Sequence, residues 1–416
     1  MRLLRYSQPL RLSLAALFCA WWVAGAGAWA EPAGPAETPP AAPPAGAPPS
    51  GERPRGGMAG VMEDQGRALL QAGEYKAARA FYDWAARVNP KDGRAYFGRG
   101  MAWIGLGRYA VAVDDLERAL ALGEEPAGVY FNLALAHRRQ GDPLAAEAAY
   151  TQAVMADPGF AAAYVNRGIL RLRLGRAEEA RLDFDLLASL RPERPAVLYL
   201  RGLAHGLLGR HREAVEDFTE TIVLDPQFPG VHAARARARY ETGDFAGTVE
   251  DLNAAIGRNP GDPELFLLRG VARFRLGQAR EALDDVDRAV ALVPDPARAH
   301  LIRGRMLAEL RELPGAVDEF DAAARADPAS PLPPFERGNA RFAMRDFEQA
   351  VEDYTAALGN DPAHEGALIN RAASLFRLGR IESSCQDWEQ GCARRIEAAC
   401  RLRAHHCAAE RGEETR

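Results

Sequence analysis

Residues 195–228 read PAVLYLRGLAHGLLGRHREAVEDFTETIVLDPQF, and the skeleton of this stretch returns every 34 residues along the 416-residue chain. Stepping by 34 from Gly202 gives Gly66, Gly100, Ala134, Gly168, Gly202, Ala236, Gly270, Gly304, Gly338 and Ala372, always a small residue. The same step from Ala214 gives Ala78, Ala112, Ala146, Ala180, Thr248, Ala282, Ala316, Ala350 and Ser384, and four residues later a bulky series runs from Tyr82 to Trp388. An uninterrupted period of this length marks stacked supersecondary units, so the chain reads as one elongated array in spite of a length that could make two or three compact domains.

Within the quoted unit, Leu198, Leu200, Leu203, Leu207 and Leu208 have helical spacing, Gly209 interrupts, and Ala214, Val215, Phe218, Ile222 and Leu224 resume it. Gly209 has the place of a left-handed C-cap, matched by Gly107, Gly141, Gly175, Gly243, Gly277 and Gly379. Pro90, Pro158, Pro192, Pro226, Pro260, Pro294, Pro328 and Pro362 share one register and end the second helix by restricting the residue before them. Repeat two has Glu124 there, and Gly123 with Pro126 supplies its turn. Each unit is therefore a helical hairpin with a small residue on each helix where the backbones approach.

These residues resemble the tetratricopeptide repeat family, whose 34-residue unit has small residues at positions eight, twenty and twenty-seven and a proline at thirty-two. Gly202, Ala214 and Pro226 match, while Thr221 departs at the twenty-seventh position. The resemblance spans about Ala59 to Ile396, ten units. It implies an all-α fold, a right-handed α-solenoid of paired antiparallel helices exceeding one superhelical turn, with a concave face used for binding.

One regularity comes from the residues alone. Arg99, Arg167, Arg201, Arg235, Arg269, Arg303, Arg337 and Arg371 precede the small residue, and sixteen residues on stand Asp115, Asp183, Asp217, Asp251, Asp285, Glu319, Asp353 and Asp387. Repeats one and three have Gln65 and Leu133 in place of the base, and Phe81 and Ala149 in place of the acid. This joint presence and absence predicts an Arg–carboxylate pair inside each hairpin that sets helix register, in preference to an anion-binding Arg stripe.

The ends differ from the array. Arg2, Arg5 and Arg11 precede an uncharged run, Leu12 to Ala30, that closes on Ala28-Trp29-Ala30 before Glu31, the layout of an export signal covering residues 1–30. The rival reading is an uncleaved membrane tether through residues 12–30, long enough to span if helical. Residues 31–57, dominated by Pro, Ala and Gly, read as a spacer or as unstructured chain. Residues 58–396 hold the repeats and 397–416 a cysteine-stapled capping helix and tail. An exported chain, periplasmic or secreted, allows disulfides among Cys385, Cys392, Cys400 and Cys407. Cys385 and Cys392 share a helix face about 10 Å apart along its axis, too far to bond each other. Antiparallel helices then join Cys392 to Cys400 and Cys385 to Cys407. The alternative is a metal site with His405 and His406, against which adjacent helical side chains diverge by about 100°.

With 52 Lys and Arg against 57 Asp and Glu, no basic block stands out, which argues against nucleic-acid binding. No nucleophile elbow, phosphate loop, H-E-x-x-H or dinucleotide fingerprint occurs, so neither catalytic residues nor a cofactor is expected. His137 and His205, like His232 and His300, share repeat positions and read as packing residues.

The family's inner-face positions, carried across, fall on Phe97, Met101, Phe131, Leu135, Val165, Ile169, Tyr199 and Leu203, with Asn132 and Asn166 placed for a peptide backbone and Arg138, Arg139 and Arg173 at the border. The family's clamp for free C-termini needs lysines on this face, and the corresponding places here are apolar. Two functions of different kind follow: an exported adaptor holding a protein or peptide partner in the groove, or a self-associating structural component of an envelope assembly, a homo-oligomer.

Overall fold

The computed structural model describes residues 58–190, 193–293 and 296–407. The export signal, the spacer, Pro192, Pro294 and the tail beyond Cys407 lie outside these residues.

Among the described residues there are 21 helices, α1 (Met58–Gln71) to α21 (Glu397–His406), and no strand. They pair consecutively into ten hairpins followed by α21, the α-solenoid that the 34-residue period predicts. The chain forms two compact units that divide between Ala238 and Arg239, inside the helix Val231–Thr242, and each is a run of stacked hairpins.

In repeat four, Arg167 and Arg171 of α7 (Ala161–Arg173) meet Asp183 and Glu179 of α8 (Ala177–Leu190). One turn forward on the first helix is one turn back on the second, so the pair is antiparallel. Its first turn needs a left-handed residue, and Gly175 supplies it with φ 74°. Repeats eight and nine place Arg311 and Arg345 at that point, each with φ 66°, a conformation that costs a side chain about 1 kcal/mol.

Where the helices of a hairpin touch, two contacts sit side by side. A Cβ added to Gly168 would lie 2.6 Å from the Phe184 ring, and one on Gly202 would lie 2.7 Å from the Phe218 ring, so the first helix must be bare there. One residue earlier, the Arg fork grips the carboxylate: Arg167 donates to Asp183 from Nε at 3.1 Å and from Nη2 at 2.6 Å, and Arg269 to Asp285 at 3.0 and 2.6 Å. The pair is present in repeats two, four, five, seven, eight, nine and ten. Repeat six straddles the division between the units.

The fork also reaches backward, a contact that the Arg–carboxylate spacing does not predict. The remaining amino group of Arg99 donates to Asp83 at 3.0 Å, that of Arg167 to Thr151 at 3.2 Å, that of Arg269 to Asn253 at 2.8 Å and that of Arg371 to Thr355 at 3.3 Å. Each acceptor is sixteen residues back, on the second helix of the preceding hairpin. One Arg thus fixes helix register inside a hairpin and ties that hairpin to its predecessor.

At the carboxyl end, disulfides join Cys385 to Cys407 and Cys392 to Cys400, with Cα separations of 5.8 and 4.6 Å. The nested order makes α21 antiparallel to α20 (Ile381–Ala393). A Cβ on Gly391 would lie 2.7 Å from that of Ala399, so the helix must be bare at this contact. Arg403 donates to Glu389 at 3.4 Å, and Glu389 is the next acceptor in the backward-reaching series. The capping helix therefore sits in the manner of the first helix of an eleventh unit.

Substituting Arg269 and Asp285 separately and together by Ala is expected to give a coupling energy of about 1–3 kcal/mol in equilibrium denaturation; additive effects would contradict the pairing. Arg311→Gly is expected to raise stability by up to about 1 kcal/mol, read as a higher denaturation midpoint, because glycine adopts the left-handed turn without strain.

Candidate functional site

The first helices α3 (Gly93–Gly105), α5 (Pro126–Gln140), α7 and α9 (Pro195–Leu207) carry every residue proposed for the inner face. Four of these residues are interior, which corrects the expected stripe. Phe131 is 1% exposed, with ring centroids 5.7 Å from Tyr150 and 5.1 Å from Phe160. Tyr199 is 3% exposed between Phe218 at 5.7 Å and Phe228 at 5.0 Å. Both rings reach past their own hairpin to an aromatic in the following turn and so fill the space between repeats. Met101 and Asn132 are buried as well. Asn132 donates Nδ2 to the Gly128 carbonyl at 2.8 Å, while its Oδ1 finds no hydrogen-bond partner.

The rest of the set forms a different kind of surface. Phe97, Leu135, Val165 and Ile169 are half-buried against the same core cluster, and Leu203 is half-buried against the next. Asn166, half-buried, donates Nδ2 to the Ala162 carbonyl at 2.8 Å. Arg138 is half-buried, and Arg139 and Arg173 are exposed. Arg138 and Arg139 lie near enough to Tyr150 to oppose the effect of burial, which pushes its phenol up to about 12. The arrangement can offer apolar contact with a polar border.

In the unit that begins at Arg239, the same register carries different chemistry. Stepping by 34 from Leu203 leads to Arg305 and Asn339, and from Asn166 to Glu336 and Asn370. Arg305 donates to one Glu336 oxygen from Nε at 2.9 Å and from Nη2 at 2.6 Å, and Asn339 donates Nδ2 to the other at 3.3 Å. Asn339 Oδ1 accepts from the Tyr354 hydroxyl at 2.9 Å and from Asn370 Nδ2 at 2.8 Å. Glu336 is only 2% exposed, so its charge is held by this network. The signal is in the sequence, where Arg305, Glu336, Asn339 and Asn370 put polar side chains at positions that hold Leu203 and Asn166 in the earlier repeats.

The histidines split by environment. Burial pulls His205 below its ordinary value against the Asp217 carboxylate 3.8 Å away. His300 is more than a packing residue, because its Nδ1 lies 2.7 Å from Glu319. His406 stacks between Phe376 at 4.6 Å and Trp388 at 5.6 Å. Among the described residues, no group of three His, Cys, Asp or Glu side chains is arranged to hold a metal ion, and no helix is long and apolar enough to cross a membrane.

A sequence profile described as Tetratricopeptide repeat matches residues 63–127, 131–196, 199–263, 233–283, 267–331 and 335–395, well over half of the chain. The Hsp70-Hsp90 organizing protein of Triticum aestivum is 31% identical over 101 residues, which are 24% of this chain and 17% of that relative. The chain thus spans under a fifth of the relative's length. Among solved structures, a tetratricopeptide repeat protein from Parabacteroides merdae is 22% identical with TM-score 0.45, covering 56% of this chain and 93% of its own. MamA from Desulfovibrio magneticus is 23% identical with TM-score 0.39, covering 40% and 94%. Yeast Tom70 is 15% identical with TM-score 0.41, covering 86% and 99%.

Phe131→Ala is expected to cost about 3–5 kcal/mol in equilibrium denaturation, and Val165→Ala under about 1.5 kcal/mol. Equal losses would remove the distinction between the interior and the half-buried residues.

Proposed function

Because the chain belongs to the tetratricopeptide repeat family, we propose that it is a non-enzymatic scaffold that holds a segment of another protein along the inner face of repeats two to five. The observation that carries this reading is the half-covered state of Phe97, Leu135, Val165, Ile169 and Leu203. One or two per repeat, at two positions one helical turn apart, they keep apolar surface after every hairpin contact has been made. Asn166 stands among them, and the exposed Arg139 and Arg173 border them. An apolar strip with polar edges suits an extended or helical segment, whose apolar side chains contribute affinity and whose polar groups fix register. Arg138 and the interior set (Met101, Phe131, Asn132, Tyr199) support the strip from beneath or beside it.

Residues 12–30 and the two disulfides favour an exported protein of the cell envelope, since such bonds persist in oxidising compartments. The partner is a protein or peptide.

The test is affinity capture from an envelope extract, read by quantitative mass spectrometry. The wild-type chain is compared with a variant carrying Arg139→Glu, Arg173→Glu, Ile169→Ala and Leu203→Ala. Capture is expected to fall at least about tenfold, with an unchanged helical circular dichroism spectrum. Undiminished capture by a folded variant would reject this face as the binding site.

A further inference from the structure

In the nine later repeats, the counterparts of Val61 and Ala68 are buried without exception. At the first position stand Ala95, Val129, Ala163, Val197, Val231, Leu265, Ala299, Pro333 and Ala367, and at the second Ala102, Ala136, Leu170, Ala204, Ala238, Ala272, Met306, Ala340 and Ser374. They are covered because each first helix lies on the second helix of the hairpin before it. Ala95 clusters with Ala85 and Ala86, and Ala102 with Ala78 and Tyr82. Helix α1 has no such hairpin among the described residues. There Val61 is 55% exposed, and Gln65 and Ala68 are exposed along the same stripe.

We propose that this open end face is a self-association surface, on which α1 of a second copy packs antiparallel across a two-fold axis to make a head-to-head dimer.

Three observations select a second copy as the occupant. Residues 31–57, the chain just ahead of α1, contain no Val, Ile, Leu, Met, Phe, Tyr or Trp, so they have no large apolar side chain to set against Val61. The opposite end of the array is closed: α21 lies on α20, bolted by two disulfides, with Ala399 buried and Arg403 on Glu389. A head-to-tail contact would have to displace it, which leaves the α1 face of one copy to meet the α1 face of another. Finally, Gln65 stands where eight of the nine later repeats have Arg. Antiparallel α1 helices that set Val61 of one copy against Ala68 of the other bring the two Gln65 side chains close to the axis. Two guanidinium groups there would repel, whereas two carboxamides each donate and accept.

A contact limited to one helix face is small for a stable interface, so the dimer is expected to dissociate in the range of about 1–100 µM. Sedimentation equilibrium of the full chain across that range should show a monomer–dimer equilibrium. Val61→Glu with Ala68→Glu should leave only monomer, at unchanged helical content. Gln65→Cys should trap the dimer through a 65–65 disulfide under mild oxidation. A wild-type chain that stays monomeric throughout, a dimer indifferent to the double substitution, or assembly that grows past two copies would each overturn the proposal. If the double substitution disturbed folding, the Gln65→Cys link would decide: failure to trap the dimer rejects it.

Discussion

Every hairpin in this chain depends on what happens where its two helices cross. A small residue on the first helix lets the bulky residue sixteen positions later lie against the backbone, and outside repeats one and three an Arg just before it stands opposite a carboxylate. The two contacts divide the labour. The ring on glycine brings apolar surface out of water and sets how near the helices come. The fork admits only one sliding position, because Nε and Nη2 must meet a carboxylate together. Burial, the larger influence, pushes the Asp217 and Asp353 carboxyls above their ordinary values even though Arg201 and Arg337 pull them down. Desolvation therefore offsets much of the attraction, and the pair acts chiefly in fixing register. Its other amino group then carries that register to the hairpin before.

The fold was legible because the period is free of insertions and because Gly and Pro fall where helices must stop. The forward pair was legible through repeats one and three, which lack both members: Gln65 and Phe81 stand there in the first, Leu133 and Ala149 in the third. The backward contact was not, because its acceptors are Asp83, Thr151, Asn253 and Thr355, which share only an oxygen at one point in space. Arg311 and Arg345 hid for a related reason: a left-handed turn is dictated by the chain around it, and an arginine can be forced into it.

The proposed binding face was legible only in part. Register identifies which side of a first helix looks inward, but depth depends on what the next turn contributes. Phe160 and Phe228 draw Phe131 and Tyr199 into the interior, and nothing within the helices of those residues announces it. Leu135 and Leu203, one turn further on, are left half-covered by the same packing. In the unit from Arg239 onward, the same positions hold Arg305, Glu336, Asn339 and Asn370, already engaged with one another. A ligand there would meet a network whose members must exchange partners to bind it, whereas the apolar strip asks for no such rearrangement.

The reach of the arginine fork has a bearing on how such a chain can change length over generations. Arg99, Arg167, Arg269 and Arg371 each touch one acceptor sixteen residues ahead and one sixteen behind. Duplicating or excising 34 residues in the middle of the gene would hand every fork an equivalent partner. A change of 33 would put the guanidinium whose contacts span the junction one step out of line with its acceptor, while the pairs beyond it would keep their spacing. The interior is thus free to gain or lose whole units, while the last unit is not, since Cys385 and Cys392 have their mates only in α21. Copy number in this architecture is a quantity that recombination can count in integers, with the ends held constant.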